Sequence, residues 1–558
     1  MNSVSKQIEQ PVLRDLVILT VLIAVFFGFM IGNRPLSVPD EARYVEIPRQ
    51  MVETGNYLTP RLNGVKYFEK PVLFYWLEAF SIRLFGLNEA TLRLWPAFFA
   101  LFGCLSVYIA GRRLFGRRAG LTAAIVLATN ILYYSMSRAI ILDMPVSVFL
   151  TAALLSFLLG MHEVSGLRRR FFLWSFYVFC ALAVLTKGLI GIVIPGMIIG
   201  AWIVTLGEWR VLKTIYLPSG IALFLLIAAP WHILVIRANP EFFHFYFIQE
   251  HFLRYLTKMH GRYHPLWFFI PIVLVGLFPW SAFLVQAIRH SLPATWRERH
   301  EHRDALFLML WAGLVFLFFT ASDSKLPPYI LPVFPPLAIL IGRYLAEAWD
   351  SKEFPGLRIG YHIFLAAALL LAGAFLVAPY VAPAENIHAL GNYSYLLAVT
   401  LAVGAGLAWA LARYRGFQPS LIAVVAMSVL FLLEINAAAP RVQANSIKNL
   451  AVTLKPLLKP GDEVASYSTY YQDLPVYLEK RVIVVGWKGE LEFGTKIEDT
   501  TQWMMEPDAF WKRWQGPETL YMITDKDTYK TLVQNPKLKL FPVAEDQNNI
   551  VLSNREVK

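Results

Sequence analysis

The sequence predicts a polytopic α-helical membrane protein that ends in a small extracytoplasmic α/β domain. Of its 558 residues, 57% are hydrophobic and only 16% are charged, whereas soluble domains carry about 25% charged residues. The apolar residues form continuous runs whose length suits a helix that crosses a bilayer. Because these runs do not alternate with polar residues, helices are favoured over the strands of a membrane barrel.

Short charged segments separate the apolar runs, and the length criterion predicts about thirteen transmembrane helices. Lys6 and Arg14 precede the first run and no convincing cleavage site follows it, so we expect a retained anchor with a cytoplasmic N-terminus. The runs lie near residues 16–30, 94–111, 119–136, 144–162, 171–187, 188–206, 214–232, 266–288, 305–321, 329–346, 360–381, 394–412 and 418–437.

The distribution of Lys and Arg predicts the orientation of these helices. With the N-terminus in the cytoplasm, every second loop is cytoplasmic, and these are the basic loops, as the positive-inside rule requires. The net charge of +12 then indicates cytoplasmic Lys/Arg and anionic lipids as partners, and not nucleic acid. The basic loops are Arg112–Arg118, Arg168–Arg170, Arg289–Arg303, Arg343–Arg358 and Arg413–Arg415.

Two domains are predicted from this topology. Residues 1–437 form a transmembrane catalytic domain, in which the extracytoplasmic loops 33–90 and 237–265 build the site. Residues 438–558 lose the apolar density and form an extracytoplasmic α/β domain. Its strand-like runs are Glu463–Tyr467, Arg481–Val485 and Leu520–Thr524.

The first loop contains candidate catalytic and binding residues. Asp40 and Arg43 are three residues apart and share one helix face, which keeps the carboxylate ionised. The alternative is an ordinary helix start, with Ser37 and Asp40 as a capping box and Pro39 in the first turn.

Charged and aromatic residues interleave further along the same loop, in Lys66–Pro71. Lys70 is a candidate for binding a phosphate, and Tyr67 for orienting it. The alternative is that these side chains only snorkel to the lipid headgroups.

An acidic residue begins the fourth predicted span. Asp143 lies at the extracytoplasmic boundary, with Arg138 five residues earlier. Asp143 with Pro145 also fits a plain N-cap. Because ionisable groups at this depth are costly, we favour a functional role for both residues.

Two further segments contribute candidates on the same face. His251 and Arg254 are one helical turn apart in the loop 237–265, and Arg254 suits the oxygen pair of a phosphate. Lys325 and Tyr329 lie between the ninth and tenth spans, where the neighbouring prolines also suit a simple turn. The predicted topology places all of these clusters outside the cytoplasm.

These motifs resemble those of the GT-C glycosyltransferases, which use polyprenyl-phosphate sugars. The resemblance is strongest to the bacterial aminoarabinose transferases that modify lipid A, and it covers nearly the whole chain. The segments that carry it are Asp40–Tyr44, Tyr67–Trp76, Arg138–Pro145 and Lys325–Pro332.

The resemblance implies a GT-C fold in the bacterial inner membrane, with a periplasmic active site. An undecaprenyl-phosphate donor would deliver 4-amino-4-deoxy-L-arabinose to a lipid A phosphate, with inversion. Lys70 and Arg254 would stabilise the leaving phosphate, and Asp40 or Asp143 would orient the acceptor or the sugar ammonium. The remaining donor-binding candidates are Arg43, Tyr67, Arg138, Lys325 and Tyr329.

The resemblance also leaves alternatives open. No cofactor is required, although Glu69 and His251, with Asp40, could hold a divalent metal as in some GT-C enzymes. A transferase of the same fold could move another sugar or use a protein acceptor, in which case the acid would be a general base. A transporter of lipid-linked sugars is disfavoured, because neither internal repeats nor interrupted mid-membrane helices are evident.

Overall fold

The chain folds into two compact units. The computed structural model describes residues 12–253, 264–349, 354–381, 384–442 and 446–557, without the side chains of residues 251–253, 384–390 and 442. The helical unit comprises Met1–Ile31 and Arg93–Val442, and the α/β unit comprises Gly32–Leu92 and Gln443–Lys558.

The described residues are mostly helical, as the composition predicts. Helices of eight or more residues are, in chain order, α1 Val12–Gly28, α2 Asp40–Thr54, α3 Leu73–Phe85, α4 Leu94–Phe115, α5 Arg117–Ala128, α6 Asp143–His162, α7 Leu167–Lys187, α8 Ile190–Leu206, α9 Leu217–Ala238, α10 Phe269–Gly276, α11 Leu284–Ser291, α12 Arg303–Ala321, α13 Phe334–Ala348, α14 Leu357–Val381, α15 Ala384–Tyr414, α16 Phe417–Val442, α17 Pro507–Trp514 and α18 Lys526–Val533. A π-helix covers His244–Leu253. Strands are β1 Arg61–Leu62, β2 Val65–Lys66, β3 Glu463–Tyr467, β4 Ile483–Val485, β5 Met504–Met505, β6 Leu520–Asp525, β7 Phe541–Glu545 and β8 Asn549–Ser553.

The number of helices that can cross a membrane is lower than the predicted thirteen. Within the described ranges, nine helices are long and apolar enough, and the pair Phe269–Gly276 and Trp280–Ser291, bent by 104°, can count as a tenth. The nine are Glu89–Phe115, Asp143–His162, Leu167–Lys187, Leu217–Ala238, Arg303–Ala321, Pro327–Ala348, Leu357–Val381, Gly391–Tyr414 and Phe417–Arg441. The prediction of a polytopic helical protein is confirmed, and the count is corrected.

Three predicted spans fall short of the length criterion within the described residues. Helix α8 has 17 residues, so it is about 25 Å long against a hydrocarbon core of about 30 Å. The described part of α1 also has 17 residues. The predicted span 119–136 is broken after α5, where the Asn130 side chain accepts a hydrogen bond from the Tyr133 amide at 2.9 Å and caps a new short helix. Apolar runs alone do not reveal such a break.

Glycines allow close packing of helices within the helical unit. A Cβ atom on Gly342 of α13 would lie 2.6 Å from the backbone nitrogen of Ala123 in α5. Real Cβ atoms essentially never approach so closely, so the two backbones meet only because this position lacks a side chain. Small residues serve the same purpose in membrane helices generally.

The α/β unit contains a mixed six-stranded sheet, in the order β5-β4-β3-β6-β8-β7. Strands β5, β4, β3 and β6 are parallel, and β8 pairs antiparallel with both β6 and β7. All three strand-like runs of the sequence analysis are confirmed as β3, β4 and β6. The core of this domain contains buried aromatic side chains, among them Phe510 and Trp514 of α17.

The hairpin β1–β2 of the first loop docks on this sheet. Asn63 and Gly64 form its turn with φ of +50° and +83°, values that suit Asn and Gly. The fully buried Asn63 amide donates to the Val482 carbonyl at 2.9 Å and accepts from the Val482 amide at 3.0 Å. Arg61 adds a two-pronged ion pair with Glu498, at 2.7 and 3.0 Å. Residues of the first loop and the tail therefore form one folded unit.

We predict that Gly342→Ala lowers the thermal stability of the purified protein in detergent. The added methyl group must displace the Ala123 backbone, at a cost of about 1–3 kcal/mol. The matched control is Gly313→Ala, since nothing lies within 4 Å of a Cβ at that exposed position of α12. There the helix gains about 0.5–1 kcal/mol. Equal midpoints of thermal unfolding for the two variants would contradict the proposed close contact.

Candidate functional site

The start of α2 differs from the predicted capping box and leaves Asp40 available. Helix α2 begins at Asp40, as the motif indicates, but the carboxylate that reaches back to the Ser37 amide is that of Glu41, at 2.8 Å. Arg34 fixes the same Glu41 carboxylate with two bonds of 2.8 Å. Because Glu41 accepts this hydrogen bond, the Asp40 carboxylate is not used to cap the helix.

Arg43 joins two carboxylates of the α/β unit. Its guanidinium lies 2.6 Å from Asp40 and 3.4 Å from Glu490, which belongs to the turn after β4. The Arg43 side chain is 9% exposed, while Asp40 is 55% exposed. Glu490 also lies 3.5 Å from the Gln472 amide. The predicted pair of Asp40 and Arg43 is therefore present, with a third member from the tail.

Tyrosines surround this guanidinium. Arg43 lies 5.2 Å from the centre of the Tyr44 ring, which stacks on Tyr75 at 6.1 Å. Tyr67 is 2% exposed, and its hydroxyl has no hydrogen-bond partner among the described residues. Buried hydroxyls are usually satisfied, so an orphaned one at a charged cluster indicates a place for a ligand or water.

Burial and neighbouring charges both shift the pKa values of the groups in this cluster. Burial and the carboxylates of Glu69 and Asp40 raise the pKa of Glu490, against the opposing effect of Arg43. Burial raises the pKa of the Tyr67 hydroxyl well above its ordinary value. Although burial alone would lower it, the nearby tyrosines and carboxylates raise the pKa of Arg43, which stays a cation. The cluster therefore holds a permanent cation beside carboxylates that favour further positive charge.

Lys70 and Glu69 follow Tyr67 and are half-buried. The Lys70 ammonium donates to the backbone carbonyl of Glu69 at 2.8 Å. That bond uses one of the three donors of the ammonium. The role predicted for Lys70, binding a phosphate, stays a prediction.

The helical unit has a charged group of its own. Asp143, at the start of α6, accepts a hydrogen bond of 2.6 Å from Lys187, at the end of α7. The Lys187 ammonium also lies 4.5 Å from the centre of the Tyr329 ring. Asp143 and Tyr329 were both predicted as site residues, and the structure brings them together through Lys187. This group occupies the end of the α6–α7 pair opposite the basic turn Arg168–Arg170.

The other two candidates of the helical unit bind backbone carbonyls. Arg138 is not the partner of Asp143. It is buried and donates to the Phe27 carbonyl at 2.8 Å and to the Phe29 carbonyl, at the end of α1. Lys325 is also buried and donates to the His264 carbonyl at 2.9 Å. Basic groups suit the carbonyl end of a helix, which accounts for the position of Arg138.

The remaining candidates are Arg254, predicted to bind a phosphate, and the predicted metal ligands. Arg254 and the side chain of His251 lie outside the described residues. Among the residues that are described, no group of three or more His, Cys, Asp or Glu side chains is arranged to hold a metal ion. The metal interpretation of Glu69 and His251 stays a prediction, and no step is derived through a metal.

Sequence reasoning identified neither Lys187 nor the pairing of Glu490 with Arg43. Lys187 stands between two apolar runs, and a lone ionisable residue at that position is itself a signal of function. Glu490 lies in a segment that also suits an ordinary turn, 447 residues after Arg43 in the chain. Only the fold of the α/β unit reveals that pairing.

Known proteins share this architecture and these motifs. Residues 17–246 match the model of the dolichyl-phosphate-mannose-protein mannosyltransferase family, and residues 450–554 match the aminoarabinose transferase C-terminal domain. The undecaprenyl phosphate-alpha-4-amino-4-deoxy-L-arabinose arabinosyl transferase 1 of Proteus mirabilis is 33% identical over 68% of this chain and 67% of its own. The corresponding transferase of Erwinia tasmaniensis is 29% identical over 91% of this chain and 93% of its own. The chain belongs to this aminoarabinose transferase family.

A solved structure agrees with this family assignment. The crystal structure of ArnT from Cupriavidus metallidurans bound to undecaprenyl phosphate is 30% identical, covers 97% of this chain and 98% of its own, and has a TM-score of 0.85. As a member of the aminoarabinose transferase family, the chain is a multi-pass membrane protein. The two family models include Asp40, Lys70, Asp143 and Lys187 in the first and Glu490 in the second.

We predict that the buried Asp473 makes the free energy of unfolding depend on pH. Burial raises the pKa of Asp473 from 3.8 to about 7, although Ser446 and the Ile447 amide donate to it. Between these pH values the unfolded chain releases the proton and the folded protein retains it. The unfolding free energy therefore falls as pH rises from about 4 to about 7, by up to about 4 kcal/mol.

Asp473→Asn, a mimic of the neutral acid, should raise the unfolding midpoint at pH 8 and flatten its pH dependence. The control is Asp527→Asn, whose side chain is 89% exposed and should leave the profile as it is. Midpoints measured from pH 4.5 to pH 8 in detergent test both variants. Parallel profiles for Asp473→Asn and the unmodified protein would show that this carboxyl does not titrate with folding.

Proposed function

We propose that the chain transfers 4-amino-4-deoxy-L-arabinose from undecaprenyl phosphate to a phosphate of lipid A, at the periplasmic face of a bacterial inner membrane. The observation that carries this proposal is the cluster of Asp40, Arg43, Tyr67 and Lys70, which combines cations, a carboxylate and an orphaned hydroxyl. Membership of the aminoarabinose transferase family supports the identity of the donor.

The proposed reaction is a single displacement at the anomeric carbon. The bond from this carbon to the oxygen of undecaprenyl phosphate breaks, and that oxygen keeps the electron pair. A phosphate oxygen of lipid A forms the new bond from the opposite side, which inverts the configuration. The donor phosphate gains one negative charge as the acceptor phosphate loses one, so cations at the leaving group lower the barrier.

Lys70 is proposed to bind the leaving phosphate. Its hydrogen bond to the Glu69 carbonyl, at 2.8 Å, orients the ammonium. In the helical unit, Lys187 is proposed to offer a cation to a substrate phosphate, held by Asp143 and Tyr329. Roles for Arg254, Arg138 and Lys325 in donor binding remain predictions.

The periplasmic location is supported by the distribution of charge along the helices. Arg112 and Arg113 end α4, and Arg168–Arg170 begin α7, as expected for cytoplasmic ends. Asp143 and Lys187 occupy the other end of the α6–α7 pair. The proposed orientation therefore places this pair on the periplasmic side.

The proposed activity is tested by reconstitution. Purified protein in proteoliposomes receives synthetic undecaprenyl phosphate-linked aminoarabinose and lipid A, and mass spectrometry follows both lipids. We expect lipid A to gain one aminoarabinose unit while undecaprenyl phosphate is released. Unmodified lipid A together with a newly glycosylated protein, or movement of the donor across the bilayer without transfer, would overturn the proposal.

Asp40 is proposed to position Arg43 and not to remove a proton. A lipid A phosphate is already anionic, so little base catalysis is needed. Asp40→Asn should lower the transfer rate about 10- to 100-fold, the usual effect of losing a charge-assisted hydrogen bond, with the shape of the pH–rate profile retained. Loss of the acidic limb of the profile would instead indicate a general base.

The matched control for Asp40→Asn is Glu53→Gln. Glu53 lies on the same helix, is also 55% exposed and also pairs with an arginine, Arg49, at 2.9 Å. It lies outside the Arg43 cluster, so transfer by Glu53→Gln should match that of the unmodified protein. Equal losses in both variants would indicate an effect on α2 as a whole and not on the site.

A further inference from the structure

Among the described residues, the charged cluster of the α/β unit contains more acidic than basic groups. Asp40, Glu69 and Glu490 act on the same region as Arg43, as their mutual effects on pKa show. Arg43 is bound closely by Asp40, at 2.6 Å, and more loosely by Glu490, at 3.4 Å. Glu490 is therefore a half-buried carboxylate whose cation partner, among the described residues, is nearer to another acid.

Tyr67 provides an independent sign of a missing ligand. Its hydroxyl is buried, has no hydrogen-bond partner among the described residues, and lies close enough to Arg43 and Glu69 for both to affect its pKa. A phenol that is kept neutral can accept a hydrogen bond through its oxygen. Tyr67 and Glu490 both act on Arg43, and each presents an acceptor to a group that only donates.

The chemistry of these acceptors selects the ligand. A phosphate next to Glu490 would meet a like charge, which disfavours an anion at this position. An ammonium carries one positive charge and three donors, which suits one carboxylate and one phenol oxygen.

We infer that Glu490 and Tyr67 bind the ammonium group of the transferred amino sugar, and so select this sugar over neutral pentoses. The inference rests on the proposed function, since the sugar named for the relatives has an amino group at C4. Glu490 supplies the charge and Tyr67 the directional acceptor. Arg43, fixed by Asp40, keeps Glu490 in place without using all of its oxygen lone pairs.

The test compares two donors that differ in one group. One is undecaprenyl phosphate-linked 4-amino-4-deoxy-L-arabinose, and the other is undecaprenyl phosphate-linked L-arabinose, in which a hydroxyl of similar size replaces the ammonium. The unmodified protein in proteoliposomes should use the amino donor with a kcat/KM about 10- to 100-fold higher, the usual effect of one charge-assisted hydrogen bond.

Glu490→Gln should remove this preference by lowering kcat/KM for the amino donor about 10- to 100-fold, with little change for the L-arabinose donor. Tyr67→Phe should lower kcat/KM for the amino donor about 3- to 10-fold, again with little change for the L-arabinose donor. Glu492→Gln is the matched control, because it lies two residues away, is 58% exposed and pairs with Lys496. Glu492→Gln should leave kcat/KM for both donors unchanged.

The outcomes separate this inference from the proposed function. If the unmodified protein transfers neither sugar to lipid A, the proposed function fails before any variant is compared. If it transfers both sugars equally well, or if Glu490→Gln slows both donors in parallel, the transferase activity stands and the ammonium site is overturned. Thermal unfolding of each variant verifies folding, and Tyr67→Phe tests the site independently should Glu490→Gln not fold.

Discussion

The candidate site of the α/β unit depends on how the Asn63 amide is bound. Its two bonds to Val482 join the loop 33–90 to the residue before β4, which lies more than 400 residues later in the chain. Both groups are buried, so breaking one would leave unsatisfied polar atoms at a cost of about 1–3 kcal/mol each. Because the hairpin cannot slide along the sheet, α2 is fixed relative to the turn that carries Glu490. The approach of Arg43 to Glu490 follows from this docking.

A second constraint acts within α2. The helix begins with two adjacent acids, and only one of them can satisfy the amide of Ser37. Glu41 takes that role and is held by Arg34. Asp40, one residue earlier, is therefore directed to Arg43. The order of these two acids decides which carboxylate supports the helix and which one belongs to the charged cluster.

Much of the fold could be predicted from the sequence because its signals are local. The length of an apolar run indicates a span, and alternation with turn residues indicates a strand, as β3, β4 and β6 show. A break inside an apolar run can depend on a single hydrogen bond, as the cap at Asn130 shows. The 104° bend between α10 and Trp280 is a second break that apolar composition does not indicate. The sequence pattern therefore overestimated the number of spans.

The candidate site could be predicted only where its residues are neighbours in sequence. Asp40 and Arg43 are one helical turn apart, so their pairing follows from helix geometry. Asp143 with Lys187 and Arg43 with Glu490 are distant pairs that tertiary structure creates. For Asp143, sequence proximity suggested Arg138, but that guanidinium binds the end of α1.

In each of these distant pairs, one charged group orients another that can still bind a substrate. A cation that is already neutralised by one carboxylate can hold a second one loosely, and the second then remains able to bind a substrate cation. Arg43 has this relation to Asp40 and Glu490. Lys187 has the converse relation, since one carboxylate and the ring of Tyr329 orient an ammonium that retains free donors for a phosphate. Glu490 therefore favours a positively charged group, whereas Lys187 favours an anion.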